Sequence, residues 1–256
     1  MARVLAVTNQ KGGVGKTTTA VNLGASLAVN QKRTLLIDLD PQGNASTGVG
    51  ATAPAEGRSI YDVLIGDLKI TEVVQKTEVA SLEVVPSSAD LAGAEVELVG
   101  MLAREKRLAG ALRDAVEGYD YVLIDCPPSL GLLTVNALTA ADAMLVPLQC
   151  EYYALEGLAR LFRTADLIRE ALNPQLGVAG IVLTMVDMRN NLAQQVALEV
   201  RKHFPQYVFE TTIPRNVRLS EAPSHGKPIL LYDVHSRGAL SYLDLAREFL
   251  GREGTS

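Results

Sequence analysis

The residues best suited to chemistry stand near the start of the chain: Gln10-Lys11-Gly12-Gly13-Val14-Gly15-Lys16-Thr17-Thr18. Glycines let a backbone curl until successive N–H groups point at one centre, and a helix beginning there adds partial positive charge. Such a loop binds phosphate. Lys16 is spaced to reach the β and γ phosphates of a nucleotide, and the Thr17 hydroxyl to ligate Mg²⁺. The usual pattern, G-x-x-x-x-G-K-S/T, would require glycine at position 10, where this chain has Gln10. It carries instead a second lysine, Lys11, at the front of the loop.

Carboxylates suited to the same chemistry follow two apolar runs. Leu36-Ile37-Asp38-Leu39-Asp40-Pro41 ends one run with two acids that are expected to hold different jobs. Tyr121-Val122-Leu123-Ile124-Asp125 ends another with one acid, the pattern that holds a Mg²⁺ shell beside a phosphate loop. Cys126 next to it reads as a small buried residue rather than a reactive thiol. Neither motif supplies an arginine finger, so an isolated site is expected to hydrolyse slowly.

A third block, Ile213-Pro214-Arg215-Asn216-Val217-Arg218-Leu219-Ser220-Glu221-Ala222-Pro223, joins two prolines to an asparagine whose amide offers the paired donor and acceptor of an adenine edge. Between Asp187 and Arg237 seven bases face five acids, a local balance of about +2 in a chain whose net charge is −5. The excess is modest, and on charge alone it describes a solvated mixed surface.

Placing these residues requires alternating strands and helices. Val4 to Thr8, Thr34 to Asp38, Leu82 to Val85, Tyr121 to Ile124, Ala143 to Val146 and Val178 to Leu183 are apolar runs without period-2 alternation, as in strands buried on both faces. Helical patterns cover Lys16 to about Ala28, Ala92 to Val116, Leu155 to Ala171, Leu192 to His203 and Ala239 to Leu250. That order predicts an α/β fold with a mostly parallel, doubly wound sheet and one domain over residues 1–256. Ala51 to Ser59 reads as a surface loop.

At 256 residues, 48% hydrophobic and 21% charged, the chain has ample apolar mass for a core. Apolar runs fall short of the roughly 20 residues that span a bilayer. The start lacks the basic and apolar regions of a secretory leader, and two cysteines are too few for a disulfide framework, so a cytoplasmic location is expected. The net negative charge means that any nucleic-acid contact must come from a local patch.

Lys11 through Thr18 resembles the deviant Walker A loop of the ParA/MinD group of P-loop ATPases, within the SIMIBI class. The block from Pro214 to Pro223 is similar to that of the Soj/ParA partition ATPases, and the resemblance runs from Val4 to about Gly238. It implies ATP and Mg²⁺ as ligands, with Lys11, Gly12, Gly13, Val14, Gly15, Lys16, Thr17 and Thr18 on the phosphates. Thr17, Asp38 and Asp125 would lie around the metal. Lys11, Lys16 and Asp40 would serve catalysis, Asp40 by positioning the attacking water, while Pro214 and Asn216 would hold the base. It also implies a homodimer that closes on ATP, with Lys11 reaching the partner's phosphates. That dimer would bind double-stranded DNA without sequence preference through Arg189 and Arg218. Release would follow weak ATP hydrolysis stimulated by a ParB-like centromere-binding activator, giving a nucleoid-associated protein without membrane contact. Two other readings share the loop. One is a MinD-like membrane-associated regulator, whose amphipathic C-terminal anchor the charge-balanced tail Ala246 to Ser256 does not match. The other is an iron-sulfur or metabolic enzyme, for which Cys126 and Cys150 lack the glycine-rich surroundings.

Overall fold

The computed structural model describes residues 2–51, 58–66, 68–113, 115–187 and 189–254, so most of the expected loop from Ala51 to Ser59 lies outside the described residues. Seven strands form one sheet: β1 (Arg3–Val7), β2 (Thr34–Asp38), β3 (Gln75–Lys76), β4 (Leu82–Val85), β5 (Tyr121–Asp125), β6 (Ala143–Gln149) and β7 (Gly177–Thr184). Their order is β3-β4-β2-β5-β1-β6-β7, and all pairings are parallel except the short β3 against β4.

Helices cover both faces: α1 (Lys16–Val29), α2 (Asn44–Gly48), α3 (Ile60–Leu64), α4 (Ile70–Val73), α5 (Leu91–Val99), α6 (Arg107–Leu112), α7 (Leu132–Ala140), α8 (Ala154–Ala171), α9 (Asn191–His203), α10 (Val217–Glu221), α11 (Ile229–Tyr232) and α12 (Arg237–Glu253). Alternate strand residues feed two separate cores. Val4, Ala6, Leu35, Ile37, Val122 and Ile124 pack toward α3 to α9, whereas Leu5, Val7, Leu36 and Leu123 pack toward α1, α2 and α10 to α12. With both faces covered, the strands have no polar side, which explains their unbroken apolar runs.

The expected helix from Ala92 to Val116 is instead α5, a 3₁₀ turn at Arg104–Lys106, α6 and a second turn at Val116–Gly118. Gly100 follows α5, and Ala103 takes the left-handed conformation at φ 51°, which an α-helix cannot accommodate. Helix α12 turns Ala239, Tyr242, Leu245, Ala246 and Phe249 into the core beside α1, so the apolar stripe near the C-terminus is core rather than a membrane face. Among the described residues no helix is long and apolar enough to cross a membrane.

Candidate active site

Strand register brings the acids together. Asp38 pairs with Asp125 across β2 and β5, and Val7, the last residue of β1, pairs with Asp125 on the other side. The glycine loop leaves β1 at this carboxyl edge and enters α1 at Lys16, so loop and acids share one end of the sheet. Gly13 and Gly15 sit at φ 72° and 87°, a region costly for residues with a Cβ. The Thr184 hydroxyl donates to the Val14 carbonyl at 2.8 Å, tying the loop to the end of β7.

A pocket of about 290 Å³ is lined by Gly12, Gly13, Gly15, Lys16, Thr17 and Thr18 together with Asp40 and Pro128. Lys16 is nearly buried and donates to the carbonyl of Lys11 at 3.0 Å. Desolvation lowers its pKa, against the pull of Asp125, Cys126 and Asp40. The two acids after Leu36 differ through local structure. Residues two apart on a regular strand share a face, but β2 ends at Asp38. Asp38 is fully buried and accepts from the backbone and hydroxyl of Ser46 at 2.7 and 2.6 Å, while Asp40 is half-buried at the pocket wall. Asp38 is pushed up to about 6 by burial, partly opposed by the Ser46 hydrogen bonds.

Asp125 is the unusual group. It is fully buried, and neither carboxylate oxygen has a hydrogen-bond partner. Burial and then the charge of Asp38 raise its pKa well above the carboxylate range, with the nearby Thr17 hydroxyl opposing. A buried carboxylate without donors is costly. A divalent cation or its bound water would supply what is missing, so Asp125, Thr17 and Asp38 fit such a cation. Cys126, also buried, donates only weakly to the Ile124 carbonyl at 3.7 Å, and its thiol is pushed far up by burial, as expected of an inert residue.

A second cleft, about 330 Å³, adjoins the first and shares Gly15, Thr18 and Met185 with it. Pro214 and Asn216 line it with Arg215, Leu219 and Tyr242. Residues 213–215 run alongside the end of β7: Ile213 donates to Leu183 at 2.9 Å, Val186 to Ile213 at 3.0 Å, and Val186 pairs with Pro214 in parallel. Asn216 departs from expectation in one respect. Its Oδ1 caps α10 by accepting from the Arg218 backbone at 2.8 Å, which commits one of its two acceptor positions.

Lys11 does not join these pockets. Its ammonium, half-exposed, pairs with Glu151 beside the exposed tyrosines Tyr152 and Tyr153. Nothing near Lys11 in sequence signalled Glu151, which lies 140 residues away. The two expected DNA-contacting arginines are also engaged. Arg189 grips both oxygens of Asp187 at 3.0 and 2.9 Å, and Arg218 pairs with Glu221 at 2.9 Å and Asp233 at 3.5 Å.

An AAA domain model matches residues 2–178. The chain is 56% identical over 248 residues to the sporulation initiation inhibitor protein Soj of Bacillus subtilis, covering 97% of this chain and 98% of that protein. It is 57% identical over 253 residues to the chromosome partitioning protein ParA of Myxococcus xanthus, covering 99% and 89%. The chain belongs to the Soj/ParA family. The fold of this Soj/ParA chain is that of P-loop proteins. A solved structure of cobyrinic acid a,c-diamide synthase from Mycobacterium smegmatis, with ADP and magnesium bound, superposes with a TM-score of 0.86 at 37% identity, covering 100% of this chain and 96% of that one.

Proposed function

We propose that this chain is a partition ATPase whose bound nucleotide sets its association state and thereby its grip on DNA. One observation carries the reading: the pocket of the glycine loop and the cleft of Pro214 and Asn216 adjoin, sharing Gly15, Thr18 and Met185, with the buried Asp125 carboxylate at the same sheet edge. The names of the Bacillus and Myxococcus relatives, and the ADP and magnesium on the Mycobacterium protein, support it.

Lys16 and the loop amides hold the β and γ phosphates. Thr17, Asp38 and Asp125 would hold the Mg²⁺, which would neutralise phosphate charge when bound. Asp38, already hydrogen-bonded by Ser46, stands beside Asp125 on the neighbouring strand. Asp40 stands at the open wall and positions the attacking water. Among the described residues none lining the phosphate pocket is an arginine, which supports slow turnover by the chain alone and stimulation by a ParB-like partner.

Lys11 pairs with Glu151 and is not among the residues lining the phosphate pocket, which supports its serving a second copy's phosphates. Beside it Tyr152 and Tyr153 are 75% and 69% exposed and stack edge to face, a pairing suited to a subunit interface. Closure then exchanges the Glu151 partner of Lys11 for a triphosphate across the interface. Arg189 and Arg218 must leave local acids to meet DNA phosphates, so one chain binds weakly and two together bind usefully. Contacts confined to the phosphate backbone read no sequence. The apolar stripe on α12 faces the core, which gives the membrane-associated alternative no support from that helix.

The test joins sizing with DNA mobility. With a non-hydrolysable ATP analogue and Mg²⁺ the wild type is expected to dimerise and retard DNA, with ADP it is not, and Lys16→Ala and Arg218→Ala are expected to lose the shift. A wild type that stays monomeric, with Lys11→Ala indistinguishable from it, refutes the reading.

A further inference from the structure

Ser46 makes bonds that reach well beyond its own short helix. It is buried on α2, and its backbone N–H and its hydroxyl both donate to one oxygen of Asp38, Oδ2, at 2.7 and 2.6 Å. Among the described residues the other oxygen, Oδ1, accepts one bond, from the Asp40 N–H at 3.2 Å.

The Ser46 hydroxyl is itself directed. Its oxygen accepts the Ser87 N–H at 3.0 Å, from the chain just past β4. A hydroxyl has one proton to give and an ionised carboxylate only accepts, so the run from Ser87 N–H through Ser46 O–H to Asp38 has a single sense. Offsetting the burial of Asp38 does not require this pattern, since donors spread over both oxygens would do so equally well. Here the two short bonds fall on Oδ2 and leave Oδ1 lightly held, in a residue that pairs in register with Asp125 on β5. Asp125 has no partner on either oxygen. Spare carboxylate oxygens on two neighbouring buried acids are what a hard divalent cation takes up.

We propose that Ser46 is a positioning residue of the Mg²⁺ site: it pins Asp38 by one oxygen and keeps the other for the cation's shell beside Asp125. Ser46 lines neither the phosphate pocket nor the base cleft, so its effect passes through Asp38. Partners of this kind fix the orientation of the groups that hold a metal. The same residue joins the acids to the hydrolytic loop, because α2 begins at Asn44, which lines the phosphate pocket with Asp40. The proposal rests on the nucleotide reading given above.

The test titrates Mg²⁺ onto the full chain in the presence of a fluorescent, non-hydrolysable ATP analogue, followed by anisotropy, with a baseline in chelator. Ser46→Ala is expected to raise the half-saturating Mg²⁺ by about 10–100-fold and to leave the affinity in chelator unchanged. Ser46→Thr keeps the hydroxyl and is expected to retain the wild-type requirement. Ser87→Ala is the structural control: its hydroxyl is also buried and bonds nothing among the described residues, so its loss should not alter the need for Mg²⁺. Should Ser46→Ala fail to fold, Ser46→Cys, of similar size but a weak donor, is expected to show the same rise. An unchanged Mg²⁺ requirement in the folded Ser46 variant overturns the proposal. So does an equal rise in Ser87→Ala, or an equal loss of affinity in chelator, either of which would mark disturbed packing. A wild type that binds no analogue at any Mg²⁺ concentration sinks the nucleotide reading, and the proposal falls with it; failure of the proposal alone is read against a wild type that binds.

Discussion

Asp125 is fully buried, and neither of its carboxylate oxygens has a hydrogen-bond partner. Its pKa is raised first by burial and next by Asp38, and Asp38 itself is pushed up to about 6 from an ordinary 3.8. A carboxyl raised in the folded state stabilises the fold below its unfolded value and loses that contribution as pH rises through the folded one. In chelator, stability to urea should therefore fall from about pH 4 to 6 as Asp38 ionises, with Asp125 extending the fall higher. Asp125→Asn should raise stability at neutral pH by about 1–3 kcal/mol and abolish the Mg²⁺ dependence of nucleotide binding; a lowered melting temperature would contradict this account. Asn216 separates two roles in the same way. Asn216→Ala should cost about 1 kcal/mol through loss of the α10 cap as well as purine selectivity, whereas Asn216→Asp keeps the cap acceptor and should lose selectivity alone, read by ATP against GTP competition. The glycines, lysines and threonines of the loop were legible because their order specifies the chemistry. The ion pair of Lys11 with Glu151 was not, because no local pattern links residues 140 positions apart.

At the level of elements, strands read well for one physical reason. Thr34–Asp38 and Leu82–Val85 are buried on both faces, so their ends coincide with the ends of apolar runs. The segment from Ala92 to Val116 misled because apolar spacing persists through the left-handed turn at Ala103, which composition does not mark. Short helices such as α2 and α10 are set by tertiary hydrogen bonds and left little periodic trace. Strand β7 supports the base cleft through a tight contact: a Cβ on Gly180, where φ is 157°, would fall 2.3 Å from the Phe209 ring. Gly180→Ala should thus destabilise the protein by about 1–3 kcal/mol, seen as a lower urea midpoint with unchanged slope. A neutral effect would mean that residues 208–214 can move away from β7, and the cleft would not be rigid.

For the whole molecule, affinity for DNA should be steeply salt-dependent and conditional on ATP. With about four phosphates neutralised by a closed pair, log K against log salt should slope near −3.6; a flat line would exclude backbone binding by arginines. The isolated chain should turn over ATP well below the roughly 1–100 s⁻¹ of kinases, and a rate within that range would show a site already complete. The α/β class and the placing of loop and acids at one sheet edge were legible because they follow from element order. The partners held by Arg189, Arg218 and Asn216 were not, since each is a short-range choice among polar neighbours. Helix α12 adds a constraint from the opposite terminus. Glu248 accepts the backbone N–H groups of Glu210 and Thr211 at 2.8 Å each, Arg252 lies 4.2 Å over Phe209, and Tyr242 both lines the cleft and bonds Thr19 on α1. The cleft proposed for the base is thereby bolted to the tail, so fraying from the carboxyl end should blur discrimination between nucleobases while the proposed grip on their phosphates, fastened at the amino end, survives.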